Sequence, residues 1–230
     1  LGARVEIVYS PIDAIDIAER NPEKEVVFLG VGFETTAPGT AAAVLTARDA
    51  GVKNFSVWSM LKTVEPALRA LMRTADFNIQ GFLCPGHVAT IIGERGFEFL
   101  PHDCHMPAVI SGFEPEDILT AVYLLLKQIA DGEPRIENEY KRAVAPEGNP
   151  LAQKIINECF VPRRDLWRGL GAIDASGLAL RDELAEFDAE KKFAVEYGEG
   201  RPSPCRCGDV ICGRIAPREC LPVSYTHLTL

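Results

Sequence analysis

A nearly unbroken apolar run, Glu25-Val-Val-Phe-Leu-Gly-Val31, most constrains how this chain of 230 residues can fold. A strand covered by helices on both faces loses the polar–apolar alternation of a half-exposed one, so the run reads as a parallel strand in an α/β layer. Its surroundings agree. Val5 to Tyr9 reads as a short strand, after which Ser10 and Pro11 open a helix, Ser10 as its cap and Pro11 in the first turn. Ile12, Ala14, Ile15, Ile17 and Ala18 supply the buried face, and Asn21-Pro22 ends it. Beyond the run come a loop from Gly32 to Pro38 and an Ala-rich helix over about Gly39 to Ala50. A strand over Phe55 to Trp58, a helix over Val64 to Thr74 and a strand over Phe77 to Cys84 follow. This order is that of a doubly wound α/β domain.

The pattern then returns. Ala108-Val-Ile-Ser111 reads as a strand and Pro115 to about Ala130 as a long helix. Val8-Tyr-Ser-Pro-Ile-Asp13 and Ser111-Gly-Phe-Glu-Pro-Glu-Asp117 share a strand, a break and a Pro-x-Asp helix start. There Pro presets φ and Asp complements the positive helix end. Asp131 to Asn138 is a polar connection, Leu151 to Phe160 a helix, Trp167-Arg-Gly-Leu-Gly171 a turn, and Leu180 to Phe193 a further helical stretch. Gly198 to Pro204 is a linker by composition. The expected organisation is therefore α/β: two doubly wound, Rossmann-like units at 1–76 and 77–197, then a Cys-rich segment at 198–230.

Apolar residues make up 47% of the chain, enough for a core that needs no disulfide staples. A net charge of −9 argues against binding to nucleic-acid phosphates or to an anionic membrane surface. No apolar run reaches the ~20 residues of a membrane span. Leu1 to Arg4 does not read as the start of a signal peptide, and a cytoplasmic protein is expected. The first residue is not Met, and the chain is read as a fragment.

Of seven cysteines, four crowd into Cys205-Arg-Cys207-Gly-Asp-Val-Ile-Cys212 and Cys220. An odd, clustered set does not fit a secreted disulfide framework and points to metal. Thiolates that close together can converge on one soft metal centre, and both iron–sulfur clusters and many structural zinc sites take four. The spacing matches neither the bacterial ferredoxin run nor the paired Cys-x2-Cys of zinc ribbons, so cluster and zinc both stay open. Cys84-Pro-Gly-His87 ends a strand and opens an apolar helix. That places Cys84 and His87 at the carboxyl edge of a sheet, where ligands of open α/β folds gather, and a Cys near a helix start can have a lowered pKa. The plainer reading is a small buried Cys84 and a His87 satisfied within its turn. Glu34, Thr35 and Thr36 follow the central strand, where either threonine would serve as a helix cap without any ligand. His102, Cys104 and His105 read as a surface loop, and Cys159 as core.

Several of these blocks occur together in one known family. Gly32-Phe-Glu-Thr-Thr-Ala-Pro38, Cys84-Pro-Gly-His-Val-Ala-Thr-Ile-Ile-Gly93, Ser111-Gly-Phe-Glu-Pro115, Trp167-Arg-Gly-Leu-Gly171 and Cys205-Arg-Cys-Gly-Asp-Val210 resemble, in order, the signature blocks of the HypD family of hydrogenase maturation proteins. The resemblance runs from about Val5 to Cys220. It implies two α/β domains and a region holding a 4Fe-4S cluster. It also implies a scaffold that works with HypC-like and HypE-like partners while iron gains the ligands of an Fe(CN)2CO group for nickel–iron hydrogenases. In such proteins the blocks containing Glu34, Thr35, Thr36, Cys84 and His87 line a working cleft.

The resemblance is incomplete. The family's Cys-Gly-Thr-His block, with its iron-binding cysteine, and its Gly-Pro-Gly-Cys-Pro-Val-Cys block are not found in this sequence, so no catalytic residue is assigned. Leu221 to Leu230 matches nothing in the family, and Cys212 stands where relatives commonly have another residue. The ligand expectation is therefore Cys205, Cys207 and Cys220 first, with Cys212 as a substitute. Leu61 also stands where relatives often have His. The competing reading is a generic iron–sulfur or zinc-binding electron-transfer or interaction module on an α/β carrier. A dinucleotide-using transferase lacks support, since no Gly-x-Gly-x-x-Gly follows a strand.

Overall fold

The computed structural model describes residues 4–193 and 204–222. The linker read at Gly198 to Pro204, apart from Pro204, lies outside the described residues, as does the tail from 223 onward. The architecture is mixed α/β with parallel sheets, and the chain divides into two compact units that exchange segments. The first takes its described residues from Leu1–Lys62, Leu151–Arg163 and Gly177–Tyr197. The second takes them from Thr63–Pro150, Arg164–Ser176 and Gly198–Leu230.

In the first unit α1 (Pro11–Arg20) begins as the sequence predicts. Ser10 is its N-cap, with Oγ accepting from Ile12 N, and Asp13 returns a carboxylate to Ser10 N at 3.0 Å. That reciprocal arrangement satisfies two otherwise orphaned donors. β1 (Val26–Gly32) runs parallel to β2 (Phe55–Leu61), Val26 opposite Phe55 and Gly32 opposite Leu61. Between them lies α2 (Ala37–Ala50), closed by Gly51 in the left-handed conformation at φ 71°. Small residues on α2, Ala37, Ala41, Ala43, Val44 and Ala47, let it sit close to Phe55 and Val57. The same core takes Cys159 from α7 (Pro150–Cys159) and Phe160 from β6 (Phe160–Trp167), then Leu178 and Leu180 from β7 (Gly171–Leu180). Leu184 and Phe187 of a 3-10 turn complete it.

Two expectations change here. Val5 to Tyr9 forms no strand, and Val5, Ile7 and Tyr9 stand exposed. Among the described residues β1 is not covered on both faces: Leu29 and Val31 remain 58% and 64% exposed, while the core packs against the other face.

The second unit starts with α3 (Val64–Met72) and builds a parallel sheet in the order β3 (Phe82–Pro85), β4 (Ala108–Ser111), β5 (Ile136–Asn138). α4 (Gly86–Ile92) and α5 (Phe99–Cys104) join β3 to β4, and α6 (Pro115–Asp131) joins β4 to β5. Val88, Ala89, Phe97, Phe99 and Leu100 pack with Cys84, Ala108, Ile110 and Val144. The junction at α6 repeats the one at α1. Asp117 accepts from Glu114 N at 3.2 Å, and Arg142 pairs with the same carboxylate. The Arg142 guanidinium thereby holds Asp117 below the usual carboxylate range.

β6 and β7 pair around the turn at 168–170, which the sequence places correctly, although both strands escaped the sequence reading. β5 falls in the stretch read as a polar connection. The helix read over Leu180 to Phe193 is instead a 3-10 turn, Asp182–Phe187, and a short α8 (Ala189–Phe193). Among the described residues no helix is long and apolar enough to cross a membrane.

Candidate functional site

Glu34 is buried directly after β1. Thr36 occupies the position before α2 but does not cap it. Its backbone is already helical at φ −96° and ψ −19°, and its hydroxyl turns back to donate to Phe33 O at 3.0 Å. The capping role read for Thr35 and Thr36 is therefore not the one built, because a cap needs extended backbone to aim its oxygen at the helix N–H groups. Thr35 is half-buried in the same turn.

Cys84 and His87 sit in the second unit at the end of β3 and the start of α4. Their fates differ. Cys84 is 2% exposed among Val88, Ala89 and Ile110, and burial alone pushes its thiol well above the ordinary range. A lowered pKa is thus corrected to a raised one: desolvation penalises the thiolate, and among the described residues no cation offsets it. His87 is exposed, its ring 5.4 Å from that of Phe113. The chain between them is tightly set. A Cβ on Gly86 would lie 2.5 Å from Ser111 O and 2.7 Å from the Tyr140 ring. Arg142 stacks over Tyr140, 4.5 Å from its centroid.

The cysteine segment also belongs to the second unit. α9 (Cys207–Ile211) and a 3-10 turn at Pro217–Glu219 fold it back on itself. Cys205, Cys207 and Cys220 meet there. The Cys205 thiol is lowered, chiefly by the Cys207 N–H and thiol that hydrogen-bond to it, with the Cys220 thiol adding to the effect. The Cys207 thiol is raised by burial and by Cys205. Arg206 N donates to Cys220 Sγ at 3.3 Å. Cys207 Sγ lies 3.7 Å from Arg168 O, and Gly208 presses so closely on Gly169 that a Cβ there would meet its carbonyl at 2.5 Å. Cys212 is elsewhere: it is 1% exposed, with Sγ 3.5 Å from Thr74 Oγ1.

Three of the four expected thiols are thus brought together and one is not. Cys205 is the meeting point, in contact with both Cys207 and Cys220. Among the described residues no group of three or more His, Cys, Asp and Glu side chains is already arranged to hold a metal ion. The donor chemistry fits a soft metal, but the donors need to part to admit one. Sequence reading missed Thr74 and Asn78, which hold Cys212, and Tyr140 and Arg142, which brace Gly86. None of these has a motif to mark it, since each gains its role only through packing.

The fold and this segment define an α/β protein carrying a convergent thiol group near its carboxyl end. The chain belongs to the HypD family, described as the hydrogenase formation hypA family, which matches residues 1–225. It is 44% identical over 225 residues to the hydrogenase maturation factor HypD of Rhodobacter capsulatus, covering 95% of this chain and 60% of that protein. With its Escherichia coli (strain K12) counterpart it shares 42% identity over 221 residues, covering 95% and 59%. With that of Azotobacter vinelandii the identity is 39% over 226 residues, covering 95% and 60%. The chain therefore spans about three-fifths of the length of these relatives.

Proposed function

We propose that this chain is part of a maturation factor for nickel–iron hydrogenases, a scaffold on which iron acquires the ligands of the Fe(CN)2CO group. HypC-like and HypE-like proteins would be its partners and the cytoplasm its setting. The observation that carries the reading is the meeting of Cys205, Cys207 and Cys220, in a chain whose relatives are named hydrogenase maturation factors. On this reading those thiolates help hold a 4Fe-4S cluster, which takes thiolate ligands and can supply electrons to neighbouring chemistry. The two α/β units are read as Rossmann-like carriers. Glu34, Thr35, Thr36, Cys84 and His87 belong to the surfaces that receive iron and partners, with His87 the exposed, ligand-competent member of its turn.

The test is anaerobic reconstitution with iron and sulfide, followed by metal and sulfide analysis and electron paramagnetic resonance of the reduced protein. A cluster signal with matching iron and sulfide supports the reading. Zinc retention without sulfide would replace it with a structural zinc module, which the same converging thiols would also suit. The iron-binding and redox blocks of the family are not in this sequence, so the chain alone should not restore hydrogenase activity to a strain lacking its own HypD. Restoration would overturn that expectation.

A further inference from the structure

We infer that Cys212 is not a metal ligand but a clasp, a positioning residue that seats the cysteine segment on the chain following α3 and leaves Cys205, Cys207 and Cys220 as the segment's thiolate donors. The inference rests on the reading above for what those donors hold. The clasp itself is visible in the packing.

Three consecutive residues bind the stretch that follows α3. The Cys212 thiol contacts Thr74 Oγ1 at 3.5 Å, and its carbonyl accepts from Asn78 N at 2.9 Å. Gly213 has φ +73°, and a Cβ there would lie 2.6 Å from Asn78 O, so the chain passes this point only as glycine. Arg214 donates to Ala75 O and also pairs with Asp209 of α9. Cys212 closes α9 as well, its N–H donating to Gly208 O at 3.2 Å. Gly208 in turn rests on Gly169. Cys212 therefore links the end of α9 to the chain after α3, while the opposite end of α9 carries Cys207 against Arg168.

A ligand sulfur must be a thiolate about 2.3 Å from its metal. Cys212 and Cys220 are both shut from solvent, but the side-chain partner of Cys212 is the Thr74 hydroxyl, whereas Cys220 meets Cys205. Joining the other three sulfurs would require its thiol to leave Thr74. Cys205, by contrast, already meets both Cys207 and Cys220.

The full chain serves as its own test. After anaerobic reconstitution with iron and sulfide, Cys212→Ser should keep iron content and charge-transfer absorbance close to those of the unaltered chain, because a hydroxyl can maintain the Thr74 contact. Cys205→Ser and Cys220→Ser should lose most of both. A second readout needs no metal. In the reduced apo chain, iodoacetamide should alkylate Cys212 about tenfold more slowly than Cys205, as expected for a sealed thiol beside a part-exposed one. Thr74→Val should raise the Cys212 rate several-fold. Iron loss in Cys212→Ser equal to that in Cys205→Ser, with an unchanged melting temperature, would overturn the inference. So would alkylation of Cys212 as fast as Cys205. If the unaltered chain takes up no iron, the metal reading fails, and the alkylation rates still decide whether Cys212 is a clasp.

Discussion

The turn joining β3 to α4 and the segment from Cys205 to Cys220 both present sulfur where the chain reverses, yet they treat it in opposite ways. At the first, Cys84 is enclosed by aliphatic side chains and its thiol is driven upward by burial alone. At the second, Cys205, Cys207 and Cys220 have sulfur or N–H neighbours, and Cys205 is lowered by them. A thiol's chemistry follows from what surrounds it: apolar walls keep it neutral and inert, while donors prepare it to act as an anion. In the second unit, β3 buries its cysteine in the core, while the carboxyl-end segment sets Cys205 against Cys207 and Cys220.

Substitution by serine gives the largest expected contrast. Cys205→Ser or Cys220→Ser should abolish most iron uptake measured after reconstitution, whereas Cys84→Ser should leave it unchanged. Loss of iron in Cys84→Ser without loss of fold would erase the distinction drawn between the regions.

Backbone crowding comes next. Gly86→Ala sets a methyl group 2.5 Å from Ser111 O, and Gly208→Ala sets one 2.5 Å from Gly169 O. Each should cost about 1–3 kcal/mol in chemical denaturation, the usual range for overpacking. Gly208→Ala should also lower iron uptake, because it lifts α9 from its turn, and Gly86→Ala should not.

The third test uses alkali. The folded-state pKa of Cys84 is raised, so the unfolded chain ionises first. Stability contributed by the neutral thiol is complete below the ordinary thiol value and declines as pH climbs above it. The slope should be about 1.4 kcal/mol per pH unit above about pH 8.5. Cys84→Ala should flatten that limb of the stability–pH curve.

The smallest effect lies on the acid side. Asp117 is held below its usual range by Arg142, so its contribution is present above about pH 4 and fades as pH falls through the depressed value. Arg142→Gln should weaken this dependence, leaving the part due to the Glu114 and Phe113 N–H groups, and lower the melting temperature modestly near neutrality.

Much of this was legible in the residues themselves. Ser10 with Asp13, and Pro115 with Asp117, announced helix starts that the structure builds with the same return of a carboxylate to the backbone. β1, β2 and β4, with α2 and α6, followed from apolar runs punctuated by Gly and Pro, whereas β5 and α5 lie where the sequence reads as irregular chain. The pairing of β6 with β7 was not legible, because Val-Pro-Arg-Arg-Asp-Leu lacks a continuous apolar face and takes its strand form from its partner. Thr36 misled for a related reason. Residue type licenses a cap, but the backbone dihedral decides whether one forms.

Local chemistry therefore determined many of the helices and apolar strands and the crowding of sulfur near the carboxyl end, since periodicity, turn residues and cysteine spacing act over a few residues. Tertiary structure alone decided which sulfurs meet. Cys205, Cys207 and Cys220 come together, Cys212 is drawn to Thr74 and Cys84 is sealed beneath α4, because a thiol's partners are set by whatever distant chain folds against it.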